Sequence, residues 1–486
     1  MLNNYTNKFL NGEVPMNYTE LANQIPMPEK GGSYADPWTG REITRVTNAE
    51  EQFPRYPAPS IGAIPYILHE PLNANNTLLL MTGIWPGAQS PNAILQASPP
   101  FDYIRSTPSS WGFSAIYPRW SRTNPNVIYA CHDFCIKGFD IVSGQEWVVF
   151  DFAAYSGLNT DFDAERRLSY FGWQDKGDCD KSGRYWPLVY FIQDQSRRVR
   201  TRTEGHMILD IETGAIVDSI QWDSPANKPP LSRAHYPSLS MNRDFFWSGG
   251  THEVCRLPGF TDIEQLPSAG HCDVGLDDEG KDVLVGVDMY RWDGGNANYI
   301  YMIDMDTKER FFLAPSNPGV HISANYPGWA IVSVYSPTVR IVDGVAEILW
   351  QRGIPLWNDR MIYAVELTRR QSPPPMMLPL ASVITERVNY SDSPMANAGK
   401  NGAIFFNQNW GVSIVREYDN PDTTDYKGDV FMIPAGWDND LDINTPVLNH
   451  PYPSAPAPNG YAPTPTKKVF QVPDLRGLTE EESEDA

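Results

Sequence analysis

Three histidines, His235, His271 and His321, each stand at the opening of a β-rich run, with Arg233 two residues before the first and Asp273 two residues after the second. Imidazole ligates divalent metals and changes charge near neutral pH. Three imidazoles gathered by a fold would therefore bind a metal or act as base and electrophile. The same spacing also suits a structural role, each ring hydrogen-bonding the neighbouring unit. A second group is basic: Arg197, Arg198, Arg200 and Arg202, close to Arg166 and Arg167, form a patch that would take an anionic glycan or an acidic protein surface. A third is acidic. Asp438, Asp440 and Asp442 alternate as calcium-loop ligands do, but Ile443 stands where such a loop needs glycine and Asn449 where it needs glutamate. Cys131 and Cys135 have no second Cys/His pair at zinc spacing and read as two thiols on one strand-rich segment. No nucleophile-elbow serine and no phosphate-binding glycine loop accompanies them.

The elements that must position these groups announce themselves as a repeat. Seven times an apolar run meets a tight turn and then a second β-rich run. The turns are Asn75-Asn76, Asn124-Pro125-Asn126, Lys181-Ser182-Gly183, Asn242-Arg243-Asp244, Asp277 to Gly280, Tyr326-Pro327-Gly328 and Ala398 to Gly402. Asn, Asp and Gly accept the positive φ that hairpin turns demand, and the flanks carry β-branched and aromatic residues. Turn spacing of roughly 40–60 residues is the period of a four-stranded propeller blade. A second motif recurs as Phe139 to Gly144, Leu209 to Gly214 and Ile303 to Lys308, an Asx-type turn between two strands. The expected fold is all-β: a seven-bladed β-propeller over 56–435, with an irregular N-terminal arm over 1–55 and a Pro-rich linker and acidic tail over 436–486. The blades are expected near 60–105, 110–155, 165–225, 230–265, 270–315, 318–370 and 380–435, with Glu42 to Thr47 able to add a closing strand. Trp173, Trp186, Trp222, Trp247, Trp292 and Trp329 are assigned to blade cores; any exposed aromatic would be a platform for a sugar.

Composition sets limits. A net charge of −21 over 486 residues leaves no general basic face for nucleic acid. Five cysteines, an odd number, make no disulfide framework. Neither a signal peptide nor a membrane-spanning run is visible, so synthesis in the cytosol is expected, with no membrane insertion. A virion or other extracellular surface then fits a fold of extracellular type.

Several longer stretches carry a family resemblance. Asp36-Pro37 with Glu42 to Thr47, Pro118 to Tyr129, Gly270 to Gly275, His321 to Ala330 and Asn409-Trp410-Gly411 together resemble the bacterial oligogalacturonate-lyase-like and WD40-like (PD40) propellers, over about 36–435. For the lyase members the resemblance implies a manganese site of His and Gln with a base that removes a proton beside a uronate carboxylate. This chain departs from that pattern. It has eight histidines and no His-x-His or His-x-x-His, and it reads Ser393-Pro394-Met395-Ala396 where related propellers often carry a histidine. A thioether does not replace imidazole on a hard cation.

The expected function is a non-catalytic binding or assembly propeller. It would present a face to a glycan or protein partner, its arm and tail docking into a larger structure such as a phage virion or tail appendage. The alternatives are a metal-dependent oligouronate lyase centred on His235, His271 and His321, with calcium or manganese as the cofactors in question, and an intracellular scaffold for protein partners.

Overall fold

Six of the seven turn signals fall, in a computed structural model of the chain, between the first and second strands of a separate antiparallel sheet, and Asn75-Asn76 falls between the bridge residue Leu72 and the strand Leu78–Thr82. Six of the turns hold a residue at positive φ: Asn76, Gly183, Arg243, Gly280, Gly328 and Gly402. The fold is the expected all-β seven-bladed β-propeller. The structure describes residues 18–48, 68–82, 92–114, 116–162, 164–173, 177–194, 199–221, 236–249, 252–266, 270–287, 298–316, 320–334, 339–342, 345–348, 361–371, 375–385, 394–408, 410 and 428–439. Two compact units divide the chain, one of residues 68–268 and one of residues 1–67 with 269–486.

The continuous unit carries four sheets. The first has Leu78–Thr82, Asn92–Gln96 and Tyr103–Ser106, with a bridge from Leu72 to Leu79. The second runs from Ile116–Trp120 to Glu146–Asp151, the third from Arg166–Gly172 to Ala215–Gln221, the fourth from Tyr236–Leu239 to Thr261–Gln265. Hydrophobic cores lie between consecutive sheets. Leu80, Ile94, Trp120 and Ile128 join the first to the second, and Phe152, Phe171, Trp173 and Trp186 lie between the second and third. Ile208, Phe246 and Cys255 join the third to the fourth. A middle strand is covered on both faces and so reads as an unbroken buried run, as all five residues of Phe245–Gly249 do. Outer strands face water on one side and alternate, as Glu146–Asp151 does. Cys131 and Cys135 lie on opposite strands of one hairpin, whose turn residues Asp133 and Phe134 both have positive φ. The two thiols thus lie on one strand-rich segment, as expected.

Between third and fourth strands the second motif forms as an Asx turn each time. Asp140 Oδ1 accepts from the Val142 and Ser143 N–H groups, Asp210 Oδ1 from Glu212 and Thr213, and Asp304 Oδ1 from Asp306 and Thr307. Each turn closes on a left-handed residue, Gly144, Gly214 or Lys308.

The discontinuous unit carries the other three sheets. The fifth runs from Gly270–Leu276 to Arg310–Ser316, and the sixth is Val320–Ser323, Trp329–Val334, Met361–Glu366 and Met377–Ser382. The sixth therefore reaches Ser382, not 370. The strand Met377–Ser382, expected to lie outside this blade, pairs with Met361–Glu366 as its fourth strand. A two-stranded ribbon, Val339–Val342 with Val345–Ile348, is inserted between the second and third strands of this sheet.

Both ends of the chain build the seventh sheet. Asn397–Ala398, Ile404–Gln408 and Asp429–Ile433 come from the C-terminal side, and Glu42–Arg45 and Ser33–Ala35 from the N-terminal side. Glu42–Arg45 is the closing strand expected from sequence, and it pairs antiparallel with Asp429–Ile433. Arg45 Nη2 meets Asp429 Oδ2 at 2.7 Å, with the two side chains only 8% and 4% exposed. Thr47 Oγ1 donates to Asp429 Oδ1 at 2.8 Å, and Arg45 Nη1 donates to the Pro28 carbonyl at 2.8 Å. The N-terminal segment also covers the edge of the sixth sheet: Thr39 Oγ1 donates to the Leu380 carbonyl, and Asp36 Oδ2 accepts from the Ser382 N–H. All six residues of Met377–Ser382 are buried in consequence.

Two predictions follow from these contacts. Arg45→Ala strands a buried carboxylate and is expected to cost about 3–5 kcal/mol in urea unfolding, whereas Arg45→Met paired with Asp429→Leu recovers most of that loss. At Gly214, φ is +69° and an added Cβ would meet the Val149 carbonyl oxygen at 2.7 Å. Gly214→Ala is expected to cost about 1–2 kcal/mol in the same measurement.

Candidate functional site

The bases for a site lie in the discontinuous unit, where the fifth, sixth and seventh sheets begin. Along Gly270–Leu276 the pairing with Asp282–Val287 slips between Gly270 and Asp273. The resulting bulge puts His271 at φ +44° and re-aims its side chain. The ring stacks on His321, with centroids 4.8 Å apart and planes 22° from parallel. His271 Nδ1 lies 2.5 Å from the Val320 carbonyl oxygen. A carbonyl only accepts, so Nδ1 carries the proton and donates. His321 is 0% exposed and stands opposite Ser333 in its sheet.

Asp273, the polar partner expected for His271, points across to the sixth sheet. Its Oδ2 accepts from the Ala324 N–H at 2.6 Å and its Oδ1 from the Val274 N–H at 2.8 Å. Gly275 makes the close approach possible, since a Cβ there would lie 2.7 Å from the Ala324 Cβ. One sheet further on the same device recurs: Ser323 Oγ accepts from the Ala398 N–H at 3.3 Å, and Ala396 N–H donates to Ser333 Oγ at 3.1 Å. His271, His321 and Met395 thus stand two residues before Asp273, Ser323 and Asn397 on three successive first strands. Met395 shares the unusual backbone of His271, at φ +41°. The positions form a series of two imidazoles and one thioether.

This set does not fit the manganese centre that the resemblance implies. Imidazole lone pairs lie in the ring plane. Planes inclined by only 22° and stacked 4.8 Å apart do not meet at a metal–nitrogen distance of about 2 Å. Among the described residues, no group of three or more His, Cys, Asp or Glu is placed to hold a metal ion.

The remaining candidates separate. His235, Arg233, Arg197, Arg198, Asp440 and Asp442 lie outside the described residues, as do Trp222 and Trp292. Arg200 and Arg202 belong to the strand Val199–Asp210, Arg202 in register with Ile192. Trp173, Trp186 and Trp247 are fully buried core, as expected. Asp438 accepts the Tyr326 hydroxyl at 2.7 Å. Beside it Trp437, 3% exposed, packs edge-on to Tyr326 and Trp329 and donates through Nε1 to the Gly402 carbonyl. Sequence reasoning did not find this aromatic anchor, nor Arg369, which bridges Asp277 and Asp304. It also did not find two exposed rings, Tyr155 and Phe162. Among the described residues no helix is long and apolar enough to cross a membrane.

No protein-family model matches this chain, and no curated protein matches it in sequence. Solved structures do. An oligogalacturonate lyase from Vibrio parahaemolyticus aligns with a TM-score of 0.52 and 13% identity, over 82% of this chain and 95% of that one. TolB from Acinetobacter baumannii aligns with a TM-score of 0.30 and 14% identity, over 66% of this chain and 64% of that one. At the level of fold, the likeness to the lyase bears out the resemblance read from the sequence.

Burial, together with the hydrogen bond to Asp438 and that carboxylate's charge, pushes the Tyr326 hydroxyl up to about 12 from its ordinary 10.0. A phenol whose folded pKa is raised adds stability that is fully present below pH 10 and is lost between pH 10 and about 12. In a base titration followed by stability, Tyr326→Phe is expected to remove the part of the loss in that window and leave the profile below pH 9 unchanged in shape.

Proposed function

We propose that the chain is a non-catalytic β-propeller that binds or assembles, offering a surface to a glycan or protein partner. The observation that supports this reading best is the use made of the imidazoles. His271 is tied through Nδ1 to the Val320 carbonyl and lies face to face with the fully buried His321. Asp273, which would be the carboxylate of an acid–base set, accepts two backbone N–H groups. Residues that a lyase would aim at a uronate instead fasten the fifth sheet to the sixth. The shared fold carries no chemistry by itself, because one architecture hosts unrelated activities.

The test is a metal analysis of wild type and His271→Ala, joined to an ultraviolet assay for unsaturated product on polygalacturonate. Neither protein is expected to hold a stoichiometric transition metal or to release product. His271→Ala is expected to lose about 1–3 kcal/mol of stability, through the orphaned Val320 carbonyl. Stoichiometric manganese in the wild type that is lost in the variant, together with product formation, would replace this reading with a metal-dependent oligouronate lyase.

A further inference from the structure

The sixth and seventh sheets are incomplete without the segment 18–48. The seventh takes two strands from it, and the outer strand of the sixth is covered by it. The segment carries its own buried set: Leu21, Tyr34, Trp38 and Ile43 are all between 0% and 8% exposed. Its ladder to the seventh sheet is short. Thr44 pairs with Met432 and Arg45 with Phe431, whereas Ile404–Gln408 pairs with Asp429–Ile433 along its whole length. Side chains complete the fastening, with Arg45 and Thr47 on Asp429 and Asp36 on the Ser382 N–H. The chain joins this segment to the first sheet through residues 49–67, which span up to about 70 Å when extended.

We infer that this acceptor site also takes the segment of a second copy, so that two copies exchange residues 18–48. This rests on the reading of a propeller that binds or assembles, and names its partner. The occupant is set by chemistry. A cation must meet the buried Asp429, and a carboxylate must meet the Ser382 N–H; Arg45 and Asp36 supply both at the spacing the two sheets require. An exchanged segment makes the same contacts as a chain's own, so exchange forfeits neither the burial nor the ion pair. Closure within one chain gains only the effective concentration set by its connection, on the order of millimolar for a flexible one. Reciprocal exchange recovers that gain, because the second segment then binds within an existing pair, and the pair closes on itself with neither acceptor empty.

The experiment co-expresses two full-length chains with different affinity tags, one carrying Thr44→Cys and the other Met432→Cys, and oxidises the purified mixture. The two positions are opposed in register, within disulfide reach, and neither chain carries both. A disulfide joining the two chains is expected on a non-reducing gel. Adding Arg45→Ala to the first chain should lower its yield at least about tenfold, because the altered segment then competes poorly with the acceptor's own. Thr47→Val, the milder change, should lower it about fivefold. Thr44→Cys and Met432→Cys placed in one chain show that the two sites close, and wild type in place of the second chain sets the background from native cysteines. No disulfide between the chains above that background, while the single-chain pair closes, overturns the inference and leaves the binding reading intact. Equal yields with and without Arg45→Ala and Thr47→Val overturn it as well. The binding reading fails separately, on release of unsaturated product from polygalacturonate.

Discussion

A single buried ion pair joins the two ends of this protein. Arg45 and Asp429 lie 384 residues apart in the chain, yet their side chains meet inside the seventh sheet. Removal from water is costly for both charges, and the surrounding hydrogen bonds offset part of that cost, while the buried Arg45 Nε has no partner. Thr47 and the Pro28 carbonyl provide those bonds. The N-terminal segment held by this contact also covers the outer strand of the sixth sheet, and Tyr34 and Leu21 from that segment fill the core between the sixth and seventh. The pair thus lies on the segment that meets both sheets.

Within each unit, consecutive sheets are tied by single backbone hydrogen bonds, as from the Gly328 N–H to the Leu276 carbonyl, and by side chains that accept from a neighbouring sheet's N–H groups. Asp273 and Ser323 do this in one unit, and Ser238 Oγ accepts from the Asp178 N–H in the other. Arginines span longer gaps, as Arg369 does between Asp277 and Asp304 and Arg122 toward Asp178. Polar residues on first strands are thus consumed by architecture. Asp273 and His271 both take part in this joining, through the Ala324 N–H and the Val320 carbonyl.

What the sequence revealed was local. Turn residues act through their own φ and side-chain acceptors, so Asn76, Gly280 and Gly402 marked their hairpins without reference to the rest of the fold. Asp140, Asp210 and Asp304 marked theirs equally well. The end of the sixth sheet was misplaced because an inserted ribbon between its second and third strands lengthens it beyond the repeat spacing. For the site, the residue types were readable but their orientation was not. A bulge between Gly270 and Asp273 turns His271 onto His321, and no periodic pattern encodes a bulge. The partner of Asp438 is Tyr326, 112 residues earlier, a distance that spacing arguments do not bridge.

The mixed origin of the seventh sheet sets the order in which the protein can mature during synthesis. The first four sheets come from one uninterrupted stretch, residues 68–268, and every partner within them is available once that stretch has been made. Glu42–Arg45 leaves the ribosome before any of them but must wait for Asp429–Ile433. At roughly 5–20 residues per second, that delay is on the order of 20–80 s. Throughout it the strand has an unfilled edge, and Arg45 remains a hydrated surface cation until its carboxylate partner arrives. The seventh sheet therefore closes last: until Asp429–Ile433 has been made, Glu42–Arg45 lacks the strand it pairs with.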